Sequence, residues 1–118
     1  MGLAIADKPE GPYVRHKSNP VIPGNHEVLV WPQGKGVAAM IGTTGSKSIT
    51  NSILYAEDGV NFIKTHDVVK GPWAGGAYRP EAYTDSNKGE LPKWGVKIGK
   101  GGREKLPFIR RFDIGEPK

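Results

Sequence analysis

The chain has no cysteine. That excludes a disulfide framework, a thiolate metal site and a cysteine nucleophile. Hydrophobic residues make up only 36% of it, with no long apolar run, so no segment reads as a membrane-spanning helix. Long helices of any kind are excluded by 17 Gly and 10 Pro spread over 118 residues. The three histidines, His16, His26 and His66, are too scattered for metal-ligand spacing, and neither a metal nor a cofactor is expected. The apolar run at residues 2–6 is short and has no basic region before it, so no targeting signal is read. Ala6 breaks the myristoylation pattern. The expected location is cytoplasmic for the chain as it stands, and periplasmic or secreted if it is a piece of a longer enzyme.

What is present is one domain's worth of chain, or part of a larger unit. Its net charge of +5 is unevenly placed. Residues 87–118 carry nine basic and four acidic groups, a balance of +5, while residues 1–86 carry eight of each. Such a basic third reads either as an anion site, for nucleic acid or an acidic polysaccharide, or as a solvated face.

Short apolar segments bounded by Gly, Pro, Asn or Asp recur along the chain and predict strands. They fall at residues 3–6, 13–16, 26–31, 36–41, 52–56, 63–68, 78–83, 94–98 and 108–112, an all-β plan. The segments also repeat. Ile5-Ala6-Asp7, Gly11, Tyr13, Arg15 and Val21-Ile22 are echoed by Tyr55-Ala56-Glu57, Gly59, Phe62, Lys64 and Val68-Val69. The offset of about 47–50 residues is the length of one β-propeller blade. Asp58-Gly59 supplies hairpin-turn chemistry in the second copy, and Pro9-Glu10-Gly11 does so in the first. The phase of the repeat predicts a single partial propeller unit over 1–118. Residues 3–22 read as two outer strands of one blade, 26–69 as a full blade and 78–113 as inner strands of the next. Since such a chain cannot close a ring alone, upstream blades or oligomerisation through strand complementation are expected to complete it.

Gly11-Pro12-Tyr13, Asn19-Pro20-Val21-Ile22, Gly24-Asn25-His26-Glu27-Val28 and Tyr55-Ala56-Glu57-Asp58-Gly59 together resemble the five-bladed propeller glycosidases. The nearest resemblance is to glycoside hydrolase family 117, the 1,3-α-L-neoagarooligosaccharide hydrolases, and more distantly to family 43. It covers most of this chain but only the C-terminal two-fifths or so of such an enzyme. The hairpin motifs bear on fold; the His-Glu pair is more discriminating. The resemblance implies that His26 stands where the proposed general acid stands, and Glu27 where one of three active-site carboxylates stands. The other two, both Asp, belong to blades upstream of this sequence, so the chain alone is expected to be inactive. A histidine can act as an acid when a carboxylate stabilises its charged form. Adjacent strand residues point to opposite faces, which weighs against a simple His26–Glu27 dyad. Without the resemblance, His26 reads as a strand-end histidine bonded to a loop carbonyl.

Asn25 shares the same segment. By repeat position its counterpart is Tyr78-Arg79-Pro80-Glu81. Arg79 and Glu81 read either as substrate-binding residues or as an ion pair between blades. Trp73, among glycines, reads either as a platform for a sugar ring or as a plug in the blade seam. Trp31 and Trp94 fit strand cores better, and His16 and His66 read as surface or packing residues. The segment at residues 42–48 lacks the Gly-Lys pair and the following helix of a phosphate loop, and reads as a hairpin loop.

Three functions therefore compete. The first is a glycoside hydrolase-like protein with a carbohydrate site at the propeller funnel. The second is a non-catalytic, self-assembling module that binds sugar or serves a structural role. The third, nucleic-acid binding by the basic third, lacks any aromatic-rich RNA-binding signature. The expected partners are an oligosaccharide and further copies of the chain, with no membrane.

Overall fold

The computed structural model describes residues 1–23, 28–42, 52–70, 77–78, 91–98, 107–111 and 113–115. Among them there are ten strands and no helix. In chain order these are β1 (Ala4–Ile5), β2 (Val14–Arg15), β3 (Val28–Gln33), β4 (Gly36–Ile41), β5 (Ser52–Ala56), β6 (Ile63–Lys70), β7 (Ala77–Tyr78), β8 (Trp94–Ile98), β9 (Pro107–Arg111) and β10 (Asp113–Gly115). They form three antiparallel sheets: β1-β2, the five-stranded β10-β6-β5-β4-β3, and β7-β8-β9. The protein is thus all-β, with the successive antiparallel sheets of a partial propeller.

The five-stranded sheet is the centre of the molecule because it buries both faces. In β4, Ala38 and Met40 point to one side and Ala39 and Ile41 to the other, and none of the four is exposed. Antiparallel sheets commonly leave one face to water, so burial on both sides means that both faces are covered. On one face Trp31, Ala38, Met40, Ile53 and Val68 form a cluster, joined by Leu29, Leu91 and Ile114. On the other, Ile22, Ala39, Ile41 and Leu54 are joined by Met1, Val28 and Phe62. The chain before the sheet therefore covers one face and the chain after it covers the other. An irregularity in the β5–β6 register, between Ile53 and Leu54, accompanies the pointing of these consecutive residues into opposite clusters.

Local chemistry accounts for the strand bounds. β3 runs through Pro32 to Gln33, past the expected end at residue 31. Proline is tolerated there because β3 is an edge strand, where a missing N–H breaks no ladder bond. Gly36 opens β4 where a Cβ would lie 2.2 Å from the carbonyl oxygen of Ala56, so no other residue fits without a backbone shift. β10 is a strand that the sequence pattern does not announce. It follows β9 after one residue, yet leaves that sheet and pairs with β6, placing Ile114 on the Trp31 cluster.

The N-terminal segment is stitched by polar groups. The Asn19 side chain accepts from Leu3 N–H and donates to Leu3 C=O, both at 2.7 Å, standing in for a strand. The Met1 ammonium donates to Ile22 C=O, and Ile22 N–H returns a bond to Met1 C=O at 3.3 Å. Ile22 is thereby held fully buried. The peptide bonds Gly11–Pro12 and Asn19–Pro20 are cis.

The repeat read from the sequence has a structural counterpart. Gly11 N–H bonds to Lys8 C=O at 2.9 Å, and Gly59 N–H to Ala56 C=O at 3.3 Å. The two turns are 59 − 11 = 48 residues apart, and both glycines have positive φ, 85° and 70°. The strands that they join pair Ile5 with Val14 and Tyr55 with Ile63. A positive φ is nearly free for glycine and costly for other residues, which is why both turns carry one.

Candidate functional site

The expected site is built from two short segments. Asn25, His26 and Glu27 immediately precede β3, whereas Trp73, Arg79 and Glu81 flank β7. All six lie outside the described residues. What the structure describes is the frame at their boundaries. Ile22 and Val28 bracket the segment 23–27, and both pack in the same cluster with Ala39, Ile41 and Leu54. Both ends of the Asn25-His26-Glu27 segment are therefore anchored on one hydrophobic surface. The ladder pairs Val28 with Ile41, which sets the start of β3 beside the end of β4. On the second segment, Ala77 and Tyr78 are held opposite Gly95 and Trp94.

Concavities lie at two hairpins among the described residues. One, of about 500 Å³, is lined by Tyr55, Glu57, Asp58, Asn61 and Ile63. The other, of about 490 Å³, is lined by Ile5, Ala6, Asp7, Lys8, Gly11, Pro12 and Val14. The sequence reading missed both, although its own repeat connects them. Each is formed at the outer hairpin of its sheet, and Ile5 and Val14 match Tyr55 and Ile63 as ladder partners. The hollow thus recurs with the hairpin.

Two groups lining the first hollow, Asp58 and Asn61, have structural roles. Asp58 Oδ1 accepts from Val60 N–H at 2.9 Å and from Asn61 N–H at 2.8 Å, and Asn61 Nδ2 donates to Oδ2. The Asn61 and Val60 backbone bonds, with the Asn61 side chain, hold the carboxyl of Asp58 below its usual value. A carboxylate so occupied shapes the turn and is poorly suited to deliver a proton. Lys64 pairs with Asp67 at 2.9 Å on the surface.

The two described histidines serve packing and turns. His16 Nδ1 accepts from Ser18 N–H at 3.2 Å. His66 Nδ1 lies 3.1 Å from Thr65 Oγ1, whose hydroxyl donates to Ile53 C=O at 3.2 Å. Trp31 is core, 2% exposed, with its indole N–H donating to Gln33 Oε1 at 3.2 Å. Among the described residues there is no cluster of acidic or histidine side chains able to hold a metal ion.

No protein-family model matches the sequence. No curated protein matches it either. Among solved structures, the chain is similar to Zg3597, a family 117 glycoside hydrolase produced by the marine bacterium Zobellia galactanivorans. The match has 36% identity and a TM-score of 0.64, and covers 97% of this chain. The chain spans 34% of that enzyme's length. The resemblance carried by the His-Glu segment and the two hairpins is thus borne out along nearly the whole chain.

Proposed function

From the similarity of this chain to one third of a family 117 glycoside hydrolase, we propose that it forms part of a carbohydrate site at the funnel of a propeller. The observation that carries this reading is 36% identity sustained over 97% of the chain, which ties it to a glycoside hydrolase-like fold. The site is formed by His26 and Glu27, with Asn25, Trp73, Arg79 and Glu81 around them. Asn25, His26 and Glu27 lead into a strand anchored at Val28, and that rigid base supports the reading. Trp73 offers an aromatic face to a sugar ring, and Arg79 offers donors to its hydroxyls.

The substrate class is an oligosaccharide of the neoagaro type. Glycoside cleavage needs a proton donor at the leaving oxygen and a base for the water, placed on opposite sides of the sugar. In this reading His26 acts as the acid and Glu27 supplies one carboxylate, while the remaining acidic groups come from outside the chain. The chain therefore binds sugar without cleaving it.

Titration of the labelled protein with neoagaro-oligosaccharides tests this. Binding in the millimolar to micromolar range is expected, equivalent to roughly 4–8 kcal/mol. Chemical-shift changes should centre on His26, Trp73 and Arg79. Changes confined to the basic residues between Lys97 and Arg111, or equal changes with DNA, would reject the sugar site.

A further inference from the structure

The hollow at the β5–β6 hairpin stands apart from the segment that leads into β3. That strand begins at Val28, opposite Ile41, and ends at Gln33, opposite Gly36. Two antiparallel pairings make β5 run the same way as β3, so Ala56, paired with Val37, lies at the Gln33 end. The turn after β5, with the hollow that it lines, is therefore at the far end of the sheet from Val28. Five steps of strand put roughly 17 Å between the two ends.

Its lining sets unspent acceptors beside an aromatic wall. Tyr55 is half-buried, and its ladder partner Ile63 is 65% exposed. Among the described residues, neither the Tyr55 hydroxyl nor the exposed Glu57 carboxylate has a hydrogen-bond partner. Asn61 spends its side-chain N–H on Asp58 Oδ2, which pins the amide and leaves Oδ1 as an acceptor. Two carboxylates line the hollow, and none of its described lining residues is basic.

The β1–β2 hairpin provides the contrast. Its hollow is of nearly the same size, about 490 against about 500 Å³. There, however, Ile5 takes the place of Tyr55, Pro12 that of Asn61 and Lys8 that of Asp58. Only Asp7, in the place of Glu57, keeps an acceptor. Equal space thus carries different chemistry, so the shape of a hairpin does not account for the aromatic and polar lining at β5–β6.

We propose that the β5–β6 hollow is a second carbohydrate site, which takes a neutral, unsulfated sugar unit. The Tyr55 ring packs against the C–H face of the sugar. Glu57 accepts from neighbouring hydroxyls in charge-assisted bonds, and Asn61 Oδ1 accepts another. Asp58 stays with the turn, and its charge adds to that of Glu57 in repelling sulfate or carboxylate groups. The volume of about 500 Å³ is in the range of small-molecule sites. For the class of its ligand the proposal rests on the carbohydrate reading above, while its residues are separate from that site.

Titration of the labelled chain with neoagarobiose, to about ten millimolar, tests the site. Chemical-shift changes at Tyr55, Glu57, Asn61 and Ile63 should saturate together, with none of comparable size from Ile5 to Val14. Galactose 6-sulfate and butylamine at the same concentration should leave the hollow unmoved. Tyr55→Leu should remove binding there, and Glu57→Gln should weaken it about tenfold. Far-UV circular dichroism checks that both fold, and the surface change Glu57→Gln decides the matter if Tyr55→Leu does not. The two sugar sites are told apart residue by residue. Changes at the hollow with none at His26, Trp73 and Arg79 uphold this site and reject the other, and the reverse rejects this one. No change at the hollow, equal changes at both hairpins, an equal response to the sulfated sugar or to the amine, or a folded Glu57→Gln protein that binds as the wild type does would overturn the proposal.

Discussion

Asp58 fixes the turn after β5 by gathering two backbone N–H groups and one side-chain amide. Those bonds favour the ionised form, so the folded-state pKa lies below the unfolded one. The sign follows directly. The stabilisation is complete above the unfolded pKa and is lost as pH falls through the lowered folded value. Asp58→Ala should therefore lower the urea midpoint at neutral pH and flatten the loss of stability on acidification. Urea unfolding of both proteins at neutral and acidic pH measures this, and equal acid sensitivity would refute the assigned role. Asn19 illustrates a different residue-scale effect. It stands in a legible motif, yet its bonds to Leu3 depend on chain folded back from sixteen residues away.

Among the elements, β10 has the largest consequence for its size. Three residues close the outer edge of β6 and bring Ile114 onto the cluster of Trp31, Met40, Ile53 and Val68. Ile114→Ala should cost about 2 kcal/mol, the low end for such truncations, because the side chain is only half-buried. Amide exchange should quicken in β6 more than in β3, which lies on the far edge of the same sheet. Equal quickening across the sheet would instead mean a global loss of stability. The spans of β4 and β5 were legible as apolar runs closed by turn residues, and that of β8 as apolar positions alternating with Gly95 and Lys97. β3 runs two residues past its expected end because an edge position removes the usual penalty on Pro32.

At the scale of the whole molecule, the chain represents one third of the length of the family 117 enzyme that it resembles. Under the proposed function the base for catalysis comes from outside the chain, so no hydrolysis of neoagaro-oligosaccharides by the isolated protein is expected. A reducing-sugar assay on the purified chain checks this. An inverting pair needs an acid and a base carboxylate about 6.5–9.5 Å apart with a water between them. If turnover were found, His26→Ala should abolish it, and Glu81→Gln should show whether Glu81 serves as the base. Turnover unaffected by both would place the active site elsewhere.

Residue order alone determined the all-β class, most strand positions, the turn chemistry at Gly11 and Gly59, and the repeat that relates them. These rest on neighbours within a few residues, where apolar patterning and a glycine's freedom act without help from the rest of the chain. The candidate site was legible in another way, through the resemblance of the Asn25-His26-Glu27 segment rather than through geometry. Tertiary structure alone decided that β10 crosses to β6, that Asn19 binds Leu3, and that both faces of β4 are covered by opposite ends of the chain. Each of these depends on which distant segment arrives beside which. That is set by summed burial and pairing over the whole fold, and no local pattern encodes it.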